Sequence, residues 1–307
     1  MPGRSNVKAS RIGTAARWSL SLVLSVGLLI GARSVSCEPL QLSVHGLWVW
    51  KSPDVLRAPQ GAQRLRDFCM VQGINEIYVA YSAASASSEE NDFILLIGMM
   101  HRANIRVEAL LSSTDADEPG KHRDKLLDRV RQVIEFNRGH PANRFDGIHL
   151  DIEPQQRPEN KGPGNLKFLP GLADAFVVVR TLAESSGMTV NADIQNKLLK
   201  GDVAQRRMLL SAAPRVTLMM YELSSPDDGQ TAEQKADKAV ETSRKFLDLA
   251  YDGLMGRGLA KMAIALSTPD YGELLPQMLE KLDEANRANP HYLGWARHSY
   301  NDMLQER

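Results

Sequence analysis

The 307-residue chain carries no excess of either charge, since 37 Lys and Arg meet 37 Asp and Glu. With no net field to hold a polyanion, nucleic acid and anionic membrane surfaces are excluded as the main partner class. Cysteine is nearly absent. Cys37 and Cys69 supply neither a disulfide framework nor a metal cluster, and Cys69, beside Phe68 and Met70 in a helical pattern, reads as a buried structural thiol. Long hydrophobic runs are also missing, because the longest candidate, Ser19 to Ala32, falls short of the roughly 20 residues a membrane crossing needs. What is present, 43% hydrophobic and 24% charged residues, suits one globular unit with a sizeable core rather than a disordered or collagen-like chain.

The short apolar run has a second meaning. Arg4, Lys8, Arg11 and Arg17 precede it, and the small residues Ser34 and Ser36 follow it, which is the layout of a secretory signal cut before Cys37. Residues 1–36 are therefore set apart from 37–307, with an uncleaved anchor as the alternative. Cys37 at the new terminus is similar to a lipoprotein cysteine, so the expected location is periplasmic or extracellular, with the membrane reached only through a lipid on Cys37.

From Leu42 onward, short runs rich in Val, Ile and Leu alternate with longer amphipathic segments, the signature of βα units and a parallel sheet. Eight runs recur: Leu42 to Trp50, Ile74 to Tyr81, Ile105 to Ser112, Phe145 to Glu153, Met188 to Ile194, Arg215 to Glu222, Lys261 to Thr268 and His291 to Arg297. Eight repeats of this size predict a single (β/α)8 TIM barrel of the α/β class. The helices show core-facing stripes, such as Leu126, Val130, Val133 and Ile134, then Leu172, Phe176, Val179 and Leu182, then Leu275, Met278, Leu279 and Leu282. Gln155 to Gly164 and Ser224 to Gly229 read as loops after strands, over the catalytic face.

Chemistry concentrates in Phe145 to Pro154. Alternation puts His149, Asp151 and Glu153 on one face of the strand and Ile148, Leu150 and Ile152 on the other. With the aliphatic set against the helices, the ionisable set faces the barrel axis, where crowded carboxyl groups raise one another's proton affinity. Glu153, last on the strand, is the natural general acid. Two other readings stay open: a buried hydrogen-bond network tying the barrel floor, and a divalent metal on His149, Asp151 and His45. Strand five repeats the pattern with Thr189, Asn191 and Asp193 facing inward, so Asn191 and Asp193 are candidate ligands for sugar hydroxyls or partners of the strand-four acids. Trp48 and Trp50 can stack on sugar faces or close the barrel.

The strand-four segment resembles the Asp-x-x-Asp-x-Asp-x-Glu signature of glycoside hydrolase family 18, the chitinases and related N-acetylglucosaminidases. Here the four positions are Asp146, His149, Asp151 and Glu153, with His149 in place of the second acid. Met219-Met220-Tyr221-Glu222 is similar to that family's sixth strand, with Glu222 where it has Asp, and Leu293-Gly294-Trp295 to its eighth, whose tryptophan underlies the bound sugar. The resemblance implies catalysis by Glu153, Asp151 and Tyr221, with Glu153 protonating the leaving oxygen and Asp151 and Tyr221 assisting an acetamido group. With the resemblance adding Asp146, His149, Glu222 and Trp295 to the inward-facing Asn191 and Asp193 and to Trp50, these seven are the expected substrate-binding residues, with no cofactor and no metal. The interval between Thr268 and Tyr292 is too short for an inserted α+β domain, so a shallow groove is expected.

The sequence thus points to an exported, monomeric glycoside hydrolase acting on a glycan or polysaccharide, N-acetylhexosamine-containing if the resemblance holds. A catalytically inactive glycan-binding barrel and a metal-dependent hydrolase are the alternatives. For export, mass spectrometry of the native protein is expected to find residues 1–36 removed, and a diacylglycerol mass on Cys37 if it is lipidated; a retained leader contradicts the signal.

Overall fold

The computed structural model describes residues 43–82, 88–162, 164–221, 230–252 and 257–305. The leader, Cys37, Glu222 and the Ser224 to Gly229 loop lie outside them. Eight parallel strands close into a barrel: β1 (Val44–Val49), β2 (Glu76–Ala80), β3 (Arg106–Ser113), β4 (Gly147–Ile152), β5 (Thr189–Gln195), β6 (Arg215–Met219), β7 (Lys261–Ser267) and β8 (Tyr292–His298). Each pairs with its sequence neighbours, and β8 pairs with β1 to complete the ring. All eight expected strands are present. A two-residue antiparallel ladder, Tyr251–Asp252 with Arg257–Gly258, was not anticipated.

Amphipathic helices cover the barrel. Those at Lys121–Gly139, Leu169–Glu184 and Leu275–Asn286 bury the three stripes read from sequence, with Leu182 only partly covered. Ile148, Leu150 and Ile152 of β4 join that outer core, as the alternation requires. Cys69 is buried in the helix Gly61–Val71, where desolvation pushes its thiol up to about 12, so it is inert as a nucleophile.

Inside the ring, bulky and small residues complement each other. Trp48, Tyr78 and Leu110 pack against Ala265 and Ala296. Gly46 belongs to this arrangement, because a Cβ there would stand 2.3 Å from the Tyr78 hydroxyl oxygen. Gly294 serves a different purpose. It sits at φ +134° beside the register shift between β8 and β7, and a Cβ would meet the Val44 carbonyl oxygen at 2.0 Å. The closing pair of the barrel therefore needs a residue with no side chain.

Gly294→Ala is expected to destabilise the fold by at least about 2 kcal/mol, through strain and backbone overlap together. Urea unfolding of the purified variant checks this; an unchanged midpoint contradicts it.

Candidate active site

Depth in the barrel is set by position along β4. Side chains two residues apart lie about 6.6 Å apart along a strand, so His149, Asp151 and Glu153 climb from interior to mouth. His149 is fully buried, Asp151 is 5% exposed and Glu153 is half-buried. The ladder holds this row to its end, where the Glu153 amide donates to the Ser113 carbonyl at 2.9 Å. Pro154 has no N–H and starts a short 3-10 turn, Pro154–Gln156, where a plain loop was expected.

The floor is an ion-pair network. Glu108 accepts a hydrogen bond from Arg215 at 2.9 Å and lies 3.6 Å from an Arg106 nitrogen; Glu76 accepts from Arg106 at 3.1 Å and also from Arg215. Above it, the His149 ring bridges two acids, with Nδ1 3.1 Å from Glu108 Oε2 and Nε2 2.7 Å from Asp193 Oδ1. Tyr78 stacks on the imidazole with ring centroids 3.6 Å apart, and Trp48 meets it edge-on. Burial opposes a charged ring, but Asp193 and Glu108 outweigh it and raise the His149 pKa from 6.5 to about 9. Burial likewise works against ionised Glu108, and Arg215 with His149 overcomes it, holding that carboxyl at about 2. His149 is therefore an imidazolium at neutral pH, donating from both nitrogens.

Three acids lie on β4 and β5 above this floor. Asp193 accepts from His149 and, at 3.1 Å, from Trp48 Nε1; burial still raises its proton affinity. Asp151 is raised well above the usual carboxylate range, by burial first and then by the charges of Asp193 and Glu153, and its Oδ1 has no partner among the described residues. Glu153 accepts from Gln195 at 2.7 Å and Gln155 at 3.1 Å on one oxygen, and from Gln156 on the other. Burial raises its pKa, the Gln195 hydrogen bond opposes that, and the Asp193 charge adds to the rise. The Tyr221 hydroxyl is buried without a partner among the described residues; burial and then Asp193, Asp151 and Glu153 keep it protonated.

Trp50 belongs to the same end of the barrel. Its indole N–H donates to His298 Nε2 at 2.9 Å, and Tyr221 packs 5.3 Å from the His298 ring. Burial lowers the His298 pKa, which suits a neutral ring accepting that bond. A cavity of about 720 Å³ opens between the turns that follow β4 and β5; Gln155 and Gln156, which donate to Glu153, line it, whereas Glu153, Asp151, Asp193 and Tyr221 do not.

Some sequence-derived roles need correction. Trp295 does not line the barrel. Its neighbour Ala296 faces inward, and Trp295 stacks outside on His45 with centroids 4.2 Å apart. Asp146 lies below the start of β4, where it accepts from the Val107 amide at 2.8 Å and sits 2.9 Å from His101 Nε2, far along the strand from the mouth. His149 and Asp193 are spent on one another rather than open to a sugar, and Asn191 is buried beside them, donating to Thr217 with its Oδ1 unpartnered among the described residues. The His149, Asp151 and His45 metal set is not assembled either. Both His149 nitrogens are engaged, and His45 contacts Gly73 and Asp283 at the opposite end of β1. Among the described residues no group of three His, Cys, Asp or Glu is placed to hold a metal ion.

The sequence reading missed Glu108, Gln195 and His298. Each continues the inward alternation of a strand already recognised, and Gln195 and His298 lie one residue past the expected strand ends.

No family model matches the chain, and no curated protein matches its sequence. Solved structures do match. An endo-1,4-beta-mannanase from Rhizomucor miehei shares 10% identity over 84% of this chain and 86% of its own, with a TM-score of 0.54. An endoglucanase from Pseudomonas stutzeri shares 12% over 84% and 85%, with a TM-score of 0.50. The C-terminal domain of a chitinase-like protein from Desulfitobacterium hafniense shares 11%, covers 73% of this chain at a TM-score of 0.49, and is spanned by it over only 66% of its length. The likeness is one of fold.

The pairing fixes a pH response. A His149 pKa raised from 6.5 to about 9 contributes stability that is complete below pH 6.5 and lost as pH rises through 9. The lowered Glu108 contributes stability present above pH 4.5 and lost as pH falls towards 2. The shift of His149 is on the order of 3 kcal/mol, so the urea midpoint should fall between pH 6.5 and 9. His149→Gln should cost about 3–5 kcal/mol at pH 6 by leaving buried acids without their cation, and should flatten that slope. A wild-type stability that is level from pH 6.5 to 9 contradicts a charged His149.

Proposed function

We propose that the chain is an exported glycoside hydrolase acting on a glycan, with residues 1–36 as its export signal. One observation carries the hydrolase reading. Three inward carboxyl groups, Asp151, Glu153 and Asp193, crowd the carboxyl ends of adjacent strands with raised proton affinities, and Glu153, the most exposed of them, accepts from Gln155 and Gln156, which line the cavity. Cleavage of a glycosidic bond requires a carboxylic acid that can hand over a proton, and a raised proton affinity favours that role. The fold is also that of enzymes named mannanase and endoglucanase, which agrees with a polysaccharide substrate.

In this reading Glu153 gives its proton to the glycosidic oxygen as the bond to the anomeric carbon breaks, and the bonding pair stays on the departing oxygen. The three amides around Glu153 favour its ionised form, so protonation requires one of them to turn its carbonyl inward. Gln156, exposed at the mouth, is free to do so. For an N-acetylated sugar, the acetamido oxygen attacks the anomeric carbon, Asp151 takes the acetamide N–H with its unpartnered oxygen, and the Tyr221 hydroxyl orients the acetamide oxygen. His149 acts from below as a positioning residue, by holding Asp193, whose charge raises both acids.

Glu153→Gln retains the shape and removes the transferable proton, so turnover should fall by about 100-fold to 10,000-fold while binding survives. Reducing-end release from a panel of N-acetylated and plain oligosaccharides measures it. A variant that turns over its substrate at nearly the wild-type rate sinks the assignment and favours a binding barrel.

A further inference from the structure

The cavity lined by Gln155 and Gln156 has a charge that the chain as a whole lacks. Lys161, Lys197 and Lys200 line it, and no carboxylate does. None of the three forms an ion pair or a hydrogen bond through its side chain with any described residue. Lys197 and Lys200 share the 3-10 turn Asn196–Lys200 that follows β5, and in such a turn residues three apart eclipse each other, so both ammonium groups lie on one side. Lys161 comes from the opposite wall, just after the turn Pro158–Asn160. Lys197 is also close enough to Glu153 for its charge to act on that carboxyl.

A second observation points to the kind of anion. Gln155 lines the cavity and is 95% buried; it donates from Nε2 to Glu153 at 3.1 Å while its Oε1, also buried, has no partner among the described residues. An amide oxygen accepts hydrogen bonds and takes nothing from a bare carboxylate or sulfate, which offers no donor at neutral pH. It fits a hydroxyl. Phe168, Leu166 and Leu198 add apolar surface to the same walls, suited to the face of a sugar ring, and a volume of about 720 Å³ is in the usual range for a small-ligand site. The ligand therefore carries hydroxyl groups and negative charge together.

We infer that this cavity is a subsite for an acidic sugar, a unit bearing a carboxylate or a sulfate ester, next to the bond that Glu153 protonates. The inference rests on the hydrolase reading for the position of that bond, and on Lys161, Lys197, Lys200 and Gln155 for the ligand. It makes the substrate an anionic glycan although the protein has no net charge.

Calorimetric titration of the mature Glu153→Gln protein tests it, with tetragalacturonate, a chondroitin sulfate tetrasaccharide, and chitotetraose as the neutral probe of equal length. At least one acidic probe should bind ten times more tightly than chitotetraose, and the preference should shrink as salt rises. Tetragalacturonate carries carboxylates alone and chondroitin sulfate carries both groups, so selective binding of the first assigns the carboxylate and selective binding of the second alone assigns the sulfate ester. A Lys161→Gln, Lys197→Gln, Lys200→Gln triple variant should keep its urea midpoint and lose the preference. Equal or tighter binding of the neutral probe, no measurable binding of either acidic probe, or a preference that survives in the triple variant overturns the subsite. Wild-type turnover distinguishes this from the hydrolase reading. Selective binding of an acidic probe with no turnover of any acidic, N-acetylated or plain oligosaccharide in the panel counts against the hydrolase and leaves the subsite, whereas cleavage of chitotetraose without acidic preference does the reverse.

Discussion

One imidazolium governs the barrel interior. Glu76, Glu108 and Asp193 sit on three inward-facing strands with almost no solvent, and isolated buried carboxylates of that kind are not tolerated. Arg215 and Arg106 neutralise the lowest pair, but they stand too deep to serve Asp193. His149 spans the difference, taking Glu108 with one nitrogen and Asp193 with the other. Sign alternates up the axis, from arginine to glutamate to imidazolium to aspartate. The surrounding shapes follow from this column, since Tyr78 covers the ring face, Trp48 donates to Asp193, and Gly46 stays small so that Tyr78 fits.

The same column explains the unusual proton affinities at the mouth. His149 and the Trp48 N–H support an anionic Asp193, and that anion penalises ionisation of Asp151 and Glu153 above it. The three acids are coupled, so protons leave the group in steps that belong to no single residue. A fourth carboxylate at position 149 would have added charge of the wrong sign between Glu108 and Asp193. With this particular pair of neighbours, an imidazole is the side chain that balances the charges, which gives the histidine in the strand-four motif a physical reason.

Much of this was legible in the sequence, and the rest failed for one reason. Strict alternation in Ile148 to Glu153 gave the register of β4 and the face of each acid, and the helix stripes gave the outer core. Periodicity assigns a face, however, without giving depth or the neighbour across the barrel. His149, Asn191 and Asp193 were rightly placed inside, but whether they met a ligand or one another depended on Glu108 and Thr217, from strands far away in sequence. Asp146 lies at the foot of its strand, where the motif spacing is silent about depth. Trp295 differs from its expected place because alternation along β8 turns Gly294, Ala296 and His298 inward, which sends Trp295 to the outer face whatever its likeness to a family motif.

Polar groups at the two ends of the barrel are treated differently, and the difference locates the chemistry. At the floor, Glu76, Glu108, Arg106 and Arg215 satisfy each other, so the charge there is bound up in structure, while the neutral Tyr78 hydroxyl beside them lacks a partner among the described residues. At the mouth, Asp151 Oδ1, the Tyr221 hydroxyl and Gln155 Oε1 are buried without a partner among the described residues. Each such group costs on the order of 1–3 kcal/mol if left unmet, and one acceptor, one phenol and one amide oxygen around a protonatable Glu153 cannot satisfy one another without moving. A ligand offering an N–H, an acceptor oxygen and a hydroxyl would recover that cost on binding. In the hydrolase reading proposed above, the stability given up at the mouth is available to orient a polar substrate, while the paired floor holds the strands that present it.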